Sequence, residues 1–137
     1  MSQKKISSEQ EVKDFLKELK ELLTDPRFDN SKDLDIILKK KHESPIDPYT
    51  TGNTFLSLDF DKIDITNQLL CLEISEYIET FIDDKDNDLP PFFAFAKSIK
   101  SRDVYIKAKI RDRQKCKVFC VSFHFARFPL RENSPYK

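Results

Sequence analysis

Three residues near the end of the chain, Tyr105, Lys107 and His124, have the types and spacing for acid–base chemistry on a phosphodiester. From Asp103 to Arg111 the chain alternates, with Val104, Ile106, Ala108 and Ile110 pointing one way and Tyr105, Lys107, Lys109 and Arg111 the other. Lys117 to Phe125 alternates too, which predicts Phe119, Val121, Phe123 and Phe125 on one side and Val118, Cys120, Ser122 and His124 on the other. Joined by a turn at Asp112 to Cys116 and paired antiparallel with apolar faces matched, the two strands put Tyr105, Lys107, Ser122 and His124 on one solvent face. Metal-independent RNA cleavage needs such a set. The ribose 2′-OH must lose a proton, the phosphorane gains negative charge, and the departing 5′-oxygen needs a proton. His124 exchanges a proton near neutral pH, Lys107 and Lys109 can hold the phosphate, and Tyr105 can stack on a base or donate a proton. This chemistry calls for no metal and no cofactor. Plainer readings stay open beside it: a lone strand-end histidine also serves structurally, and exposed strand tyrosines and lysines also suit a pleated surface or blunt an edge.

Charge is divided along the chain. The 24 basic and 24 acidic residues cancel, yet Phe95 to Lys137 holds twelve basic residues against three acidic ones, and positions 1–94 hold twelve against twenty-one. A basic end on an acidic body suggests a face for phosphates or for an acidic partner; the alternative is two faces that neutralise each other within the fold. No run of eighteen apolar residues occurs and the start, MSQKKISSEQ, has no signal-peptide pattern, so the expectation is a cytoplasmic protein without membrane contact. Cys71, Cys116 and Cys120 are odd in number, and a single C-x3-C lacks the spacing of a zinc site, so they read as buried or idle thiols.

The elements that must position the site follow from pattern. A length of 137 residues with 39% apolar content suits one core. The expectation is a single α+β domain over 1–137, with a helical part over 8–80 and an antiparallel sheet over 92–126 packed against it. Ser8 and Glu11 form a capping box ahead of the stripe Val12, Phe15, Leu16, Leu19, Leu22 and Leu23, which ends at Thr24-Asp25-Pro26. Leu34 to Leu38 suggests a short helix, followed by a loop with Pro45, Pro48 and the only glycine, Gly52. Asp59 or Asp61 is placed to cap a helix through Ile65, Leu69, Leu70 and Leu72, and Ser75 to cap a turn around Tyr77 and Ile78. Asp83 to Asp88 lacks the glycine and terminal glutamate of a calcium loop and reads as a solvated acidic segment, a possible electrostatic lid over the basic sheet. Phe93, Phe95 and Lys97 alternate with Ala94, Ala96 and Ser98 as the first strand of the sheet.

The runs FAFAKSI, DVYIKAKI, KVFCVSFHFARFPL and the closing SPYK resemble the C-terminal signature of the MqsR-type (motility quorum-sensing regulator) toxins of bacterial toxin–antitoxin pairs. FLSLDFDKIDITNQLLCLEISEYIE resembles the family's segment upstream, so the likeness covers Phe55 to Lys137 and, loosely, the first helix. It implies a RelE-like fold and a type II toxin, an mRNA interferase that cleaves mRNA without a metal, inhibits translation and growth, and is restrained by a cognate antitoxin, expected to contain a helix-turn-helix. Tyr105 and Lys107 match its strand tyrosine and lysine, and Phe95 and Lys97 its F-x-K. His124 stands where the best-known branch has lysine, while Glu79 and Ala94 stand at its lysine and glutamine. The stretch from Arg27 to Asn53 is longer than the family's. The expected site is therefore Tyr105, Lys107 and His124 as catalytic residues, with Lys97, Lys109 and Arg127 binding the RNA phosphates. The rival expectations are a non-catalytic RNA-binding or protein-interaction domain on the same fold, and a basic face that neutralises acidic residues of its own chain or of a protein partner.

Overall fold

Ser8 accepts from the Glu11 backbone N–H at 3.1 Å while the Glu11 carboxylate accepts from the Ser8 N–H at 3.0 Å. This reciprocal box opens helix α1 (Glu9–Leu23), whose buried stripe is Val12, Phe15, Leu16, Leu19 and Leu23. The computed structural model describes residues 2–38, 40, 43–83 and 89–137. Strand β1 (Ser2–Lys5) precedes α1. After it come α2 (Asn30–Asp33), β2 (Leu34–Ile36), α3 (Thr51–Leu58), α4 (Lys62–Leu70) and a 3-10 turn at Ile74–Glu76. Four long strands follow, β3 (Tyr77–Asp83), β4 (Phe92–Ile99), β5 (Arg102–Asp112) and β6 (Lys117–Phe125), and then a second 3-10 turn at Arg131–Asn133.

The architecture is α+β: one six-stranded sheet in the order β1-β3-β4-β5-β6-β2, antiparallel except for the parallel pairing of β2 with β6. One face of the sheet is the core. Phe15 of α1 stacks on Phe93 with ring centroids 4.1 Å apart, Ile65 and Leu69 of α4 are fully buried in the same cluster, and Phe55 of α3 meets Phe123 edge-on at 5.7 Å. β4 and β5 are joined by Lys100 and Ser101, both at positive φ, the sign pattern of a type I′ hairpin turn. Among the described residues no helix is long and apolar enough to cross a membrane.

Several expectations change. The sheet is not confined to 92–126, because β1, β2 and β3 come from the part read as helical. Leu34 to Ile36 is a strand instead of a helix: Leu34 is fully buried against β6, and pairing overrides a local pattern too short to fix a period. Asp61 caps α4, whereas Asp59, at φ 57°, closes α3. Tyr77 and Ile78 belong to a strand, and Ser75 lies inside the turn before them, whose first N–H, that of Glu73, donates to the Glu76 carboxylate at 2.9 Å. The segment from Asp84 to Asp88, and with it the lid idea, lies outside the described residues.

The change that matters most is in β6. Lys107 pairs with Ser122 but its neighbour Ala108 pairs with Cys120, so Val121 is one residue too many for the ladder. The extra residue inverts the alternation. Before it, Val118 and Cys120 face the core at 1% and 0% exposure; after it, Phe123 and Phe125 do. Phe119, expected inside with Phe123, lies instead on the outer face, cross-strand from Lys109, with its ring 4.2 Å from the Arg111 guanidinium and 5.6 Å from the Phe92 ring.

Helix α3 finishes the edge that β2 leaves open. β2 pairs with β6 only along Val118 to Cys120, and beyond it the Phe123 and Phe125 N–H groups donate to the hydroxyls of Thr51 and Thr54 at 3.4 and 3.0 Å. Gly52 lets α3 come this close to the preceding loop, since a Cβ there would sit 3.2 Å from the Leu38 carbonyl oxygen that its own N–H bonds. Thr54→Val keeps the shape and removes the acceptor from a fully buried site. It is expected to lower the unfolding free energy by about 1–3 kcal/mol in urea denaturation. A loss within error of zero would show that the Phe125 N–H finds another partner.

Candidate active site

The bulge decides what the outer face carries. Tyr105 pairs with His124 and Lys107 with Ser122, so the four residues form two adjacent cross-strand rows. The Tyr105 and His124 rings lie 5.5 Å apart, tilted by 32°. On the other flank of β5, Ala96 pairs with Tyr105, and Ala94 stands between Lys107 and Glu79 of β3. Both methyl groups are fully buried beneath their larger neighbours. Lys107 extends over the Phe81 ring at 3.7 Å and lies 5.3 Å from Phe92, which also receives Lys109 at 4.7 Å.

The electrostatics separate the three central groups. His124 Nδ1 lies 3.1 Å from the Phe125 carbonyl oxygen. A carbonyl only accepts, so Nδ1 carries the proton and the neutral ring presents Nε2 as an acceptor. Burial pulls its pKa below the usual 6.5, and the Lys40 and Arg127 charges pull the same way against the Phe125 bond and Glu43. Tyr105 is pushed far up, by burial first and by the Glu79 carboxylate second, and so keeps its proton. Burial lowers the Lys107 pKa, the Lys40 and Lys4 charges add to that, and Glu79 opposes it. The site thus offers a proton acceptor, a retained hydroxyl donor and a cation more acidic than an ordinary lysine.

Not every expected residue joins them. Lys97 pairs with Val104 on the helix-covered face, and its ammonium bonds the Cys71 carbonyl at 3.1 Å and the Glu76 carboxylate at 3.2 Å. Arg127 lies two residues past the end of β6; its guanidinium stacks 4.5 Å over the Tyr49 ring and bonds Asp47 at 2.5 Å, flanking His124 while already engaged. Lys109 is on the outer face, one step beyond Lys107. Lys40 and Glu79 were not among the expected site residues, and both act on it electrostatically. Lys40 sits in the aperiodic stretch read as loop, where no pattern marks it. Glu79 was legible only as a departure from a family position.

The divided charge is joined internally at five places among the described residues. Lys97–Glu76, Arg111–Asp35, Arg113–Glu18, Lys117–Asp33 and Arg127–Asp47 each tie a basic residue of the C-terminal part to an acidic residue of the N-terminal part, at 2.5 to 3.2 Å. Cys116 and Cys120 are buried and Cys71 is exposed, all as free thiols; burial lifts the Cys120 thiol to about 12, which keeps it protonated and inert.

The electrostatic account has a direct check. In an NMR titration His124 is expected to titrate below pH 6.5, and Lys40→Ala should move that value upward by removing a neighbouring positive charge. A value at or above 6.5, unmoved by the substitution, would contradict the burial and proximity described. Compared with protein-family models, with curated proteins and with solved structures, the chain matches none.

Proposed function

We propose that this chain is a metal-independent endoribonuclease of RelE-like fold, the mRNA-cleaving toxin of a type II toxin–antitoxin pair related to the MqsR-type toxins. The observation that carries this reading is the pairing of Tyr105 with His124, rings 5.5 Å apart, with Lys107 on the adjacent row of the same face. His124 Nε2 takes the proton of the ribose 2′-OH, whose oxygen attacks the adjacent phosphorus. As the 2′-O–P bond forms, the P–O5′ bond breaks, leaving a 2′,3′-cyclic phosphate and a 5′-hydroxyl. Lys107 lies against the developing charge and gives the departing 5′-oxygen its proton, a task for which its lowered pKa suits it. Tyr105, held protonated, donates a hydrogen bond to a non-bridging oxygen. An antiparallel run from β3 to β6 with helices on one face is compatible with a RelE-like fold. The antitoxin enters through the family likeness alone, as a protein with a helix-turn-helix.

A binding domain without catalysis is the competing reading, and Glu79 and Ala94 favour it, since they stand where the best-known branch of the family has polar functional side chains. Incubating purified protein with single-stranded RNA in EDTA separates the two. New ends bearing 2′,3′-cyclic phosphates are expected, with His124→Ala slowed by about 10²–10⁴-fold while remaining folded. Because the neutral ring is the base, the rate should fall as pH drops through the His124 pKa, placing the acid limb of the profile below 6.5. RNA bound but left intact would select the binding domain. RNA neither bound nor cut, with growth unaffected by expression, would remove both readings.

A further inference from the structure

The loop before α3 sends one cation onto the outer face. Lys40 Nζ donates to Ser122 Oγ at 2.8 Å, and the Lys40 backbone N–H is fixed by the Glu43 carboxylate at 2.7 Å. Ser122 is 3% exposed, is the cross-strand partner of Lys107, and precedes His124 by two residues on the same face. The Lys40 ammonium thus sits on Ser122, on the β6 side of Lys107, while the Lys107 ammonium leans to the other side over Phe81, and the two flank the row next to the Tyr105–His124 pair. Lys40 acts on both of its neighbours there: among the charges that lower the Lys107 pKa it comes first, and it is also the first charge to lower His124. Lys4 adds to the repulsion on Lys107 and Arg127 to that on His124; Glu79 opposes it at Lys107, and the Phe125 carbonyl and Glu43 oppose it at His124.

Like charges gathered in a half-buried place cost free energy in the isolated protein, and an anion between them removes that cost. The hydroxyl adds direction. Ser122 Oγ accepts from Lys40 and so keeps its own proton to give to an oxygen of the incoming anion.

We infer that Lys40, Ser122 and Lys107 form the seat of an RNA phosphate, with Lys40 as a substrate-binding residue that the loop brings over the sheet. The inference rests on the RNA-cleavage reading and names the groups that would hold the phosphate beside Tyr105 and His124.

The test measures binding without cleavage, using a 2′-O-methylated single-stranded RNA followed by fluorescence anisotropy over a salt series. Lys40→Ala and Lys40→Gln are expected to weaken binding about tenfold at low salt and to reduce the log–log salt slope by about 0.7, one phosphate contact's worth. Lys40→Arg should restore most of the affinity, and Lys17→Ala, on the exposed side of α1, should match the wild type. Lys40→Gln keeps a hydrogen-bonding group for Ser122 while removing the charge, so a defect in Lys40→Ala alone, with Lys40→Gln binding as wild type, would assign Lys40 to loop packing and overturn the proposal. Wild-type affinity and slope in both neutral variants would overturn it while leaving RNA cleavage standing. A wild-type protein that does not bind the oligonucleotide would remove the cleavage reading and this inference together.

Discussion

The additional residue in β6 is the constraint on which the outer face depends. A strand with unbroken alternation cannot bury Val118 and Cys120 and also Phe123 and Phe125, because those pairs have opposite parity in a ladder of period two. Inserting Val121 satisfies both halves, and the core gains four inward side chains from one strand. The same insertion sets Ser122 and His124 opposite Lys107 and Tyr105, and moves Phe119 outward beside Arg111. Packing and the proposed chemistry therefore share one cause. The bulge is anchored on both sides: β2 fixes the part before it through backbone pairing, and the threonines of α3 fix the part after it through N–H groups that would otherwise form an open edge.

The other side of the sheet is held by a buried hydroxyl chain of its own. The Tyr77 hydroxyl lies 2.6 Å from Thr80 Oγ1, which lies 2.7 Å from Ser7 Oγ, and the Ser7 N–H donates to Tyr77 at 2.9 Å. Tyr136, stacked on Tyr77 with centroids 5.9 Å apart, donates to the Ser7 carbonyl at 2.5 Å. Polar groups at such depth stabilise only when each finds a partner, and here they tie the start of α1, strand β3 and the chain's last residues into one arrangement. Tyr136 thus has a structural role: it packs on Tyr77 of β3, the strand that also carries Glu79 and Phe81 into the outer face.

How legible all this was depends on what each residue answers to. Ser8, Glu11 and the α1 stripe were readable because a capping box and a 3.6 period are local properties of a helix. β5 was readable because it alternates without interruption, and with it Tyr105 and Lys107. His124 fell on the correct face because the second half of β6 keeps its parity; Phe119 did not, because a bulge answers to the volume of the core, which no local pattern reports. β2 and α3 were missed for a related reason. Three residues of strand and eight of helix gain their stability from β6, so the sequence signal lies in the partner and not in the segment. Lys97 shows the converse, since a correct strand assignment put it on the face that includes Phe93 and Phe95, where its ammonium meets Glu76.

A chain with zero net charge that binds a polyanion must do so at short range. Long-range attraction scales with unbalanced charge and is screened within about 8–10 Å at ordinary ionic strength. The internal ion pairs remove much of the basic end's imbalance: Arg111, Arg113, Lys117 and Arg127 each already meet a carboxylate. Lys107 is arranged differently. Its ammonium lies on the Phe81 ring and near Phe92, surfaces that hold a cation without neutralising it, and its neighbours Lys40 and Lys4 are also positive. A carboxylate bonded directly to Lys107 would raise its pKa, as Asp33 does for Lys117, and leave little for a substrate to gain. Glu79 sits one alanine away across the ladder, near enough to act on Tyr105 and Lys107, with its own ion pair to Lys4 at 3.7 Å. Under the proposed reading, a cation held on aromatic rings beside other positive charges is what gives a phosphate something to gain at this place on the sheet.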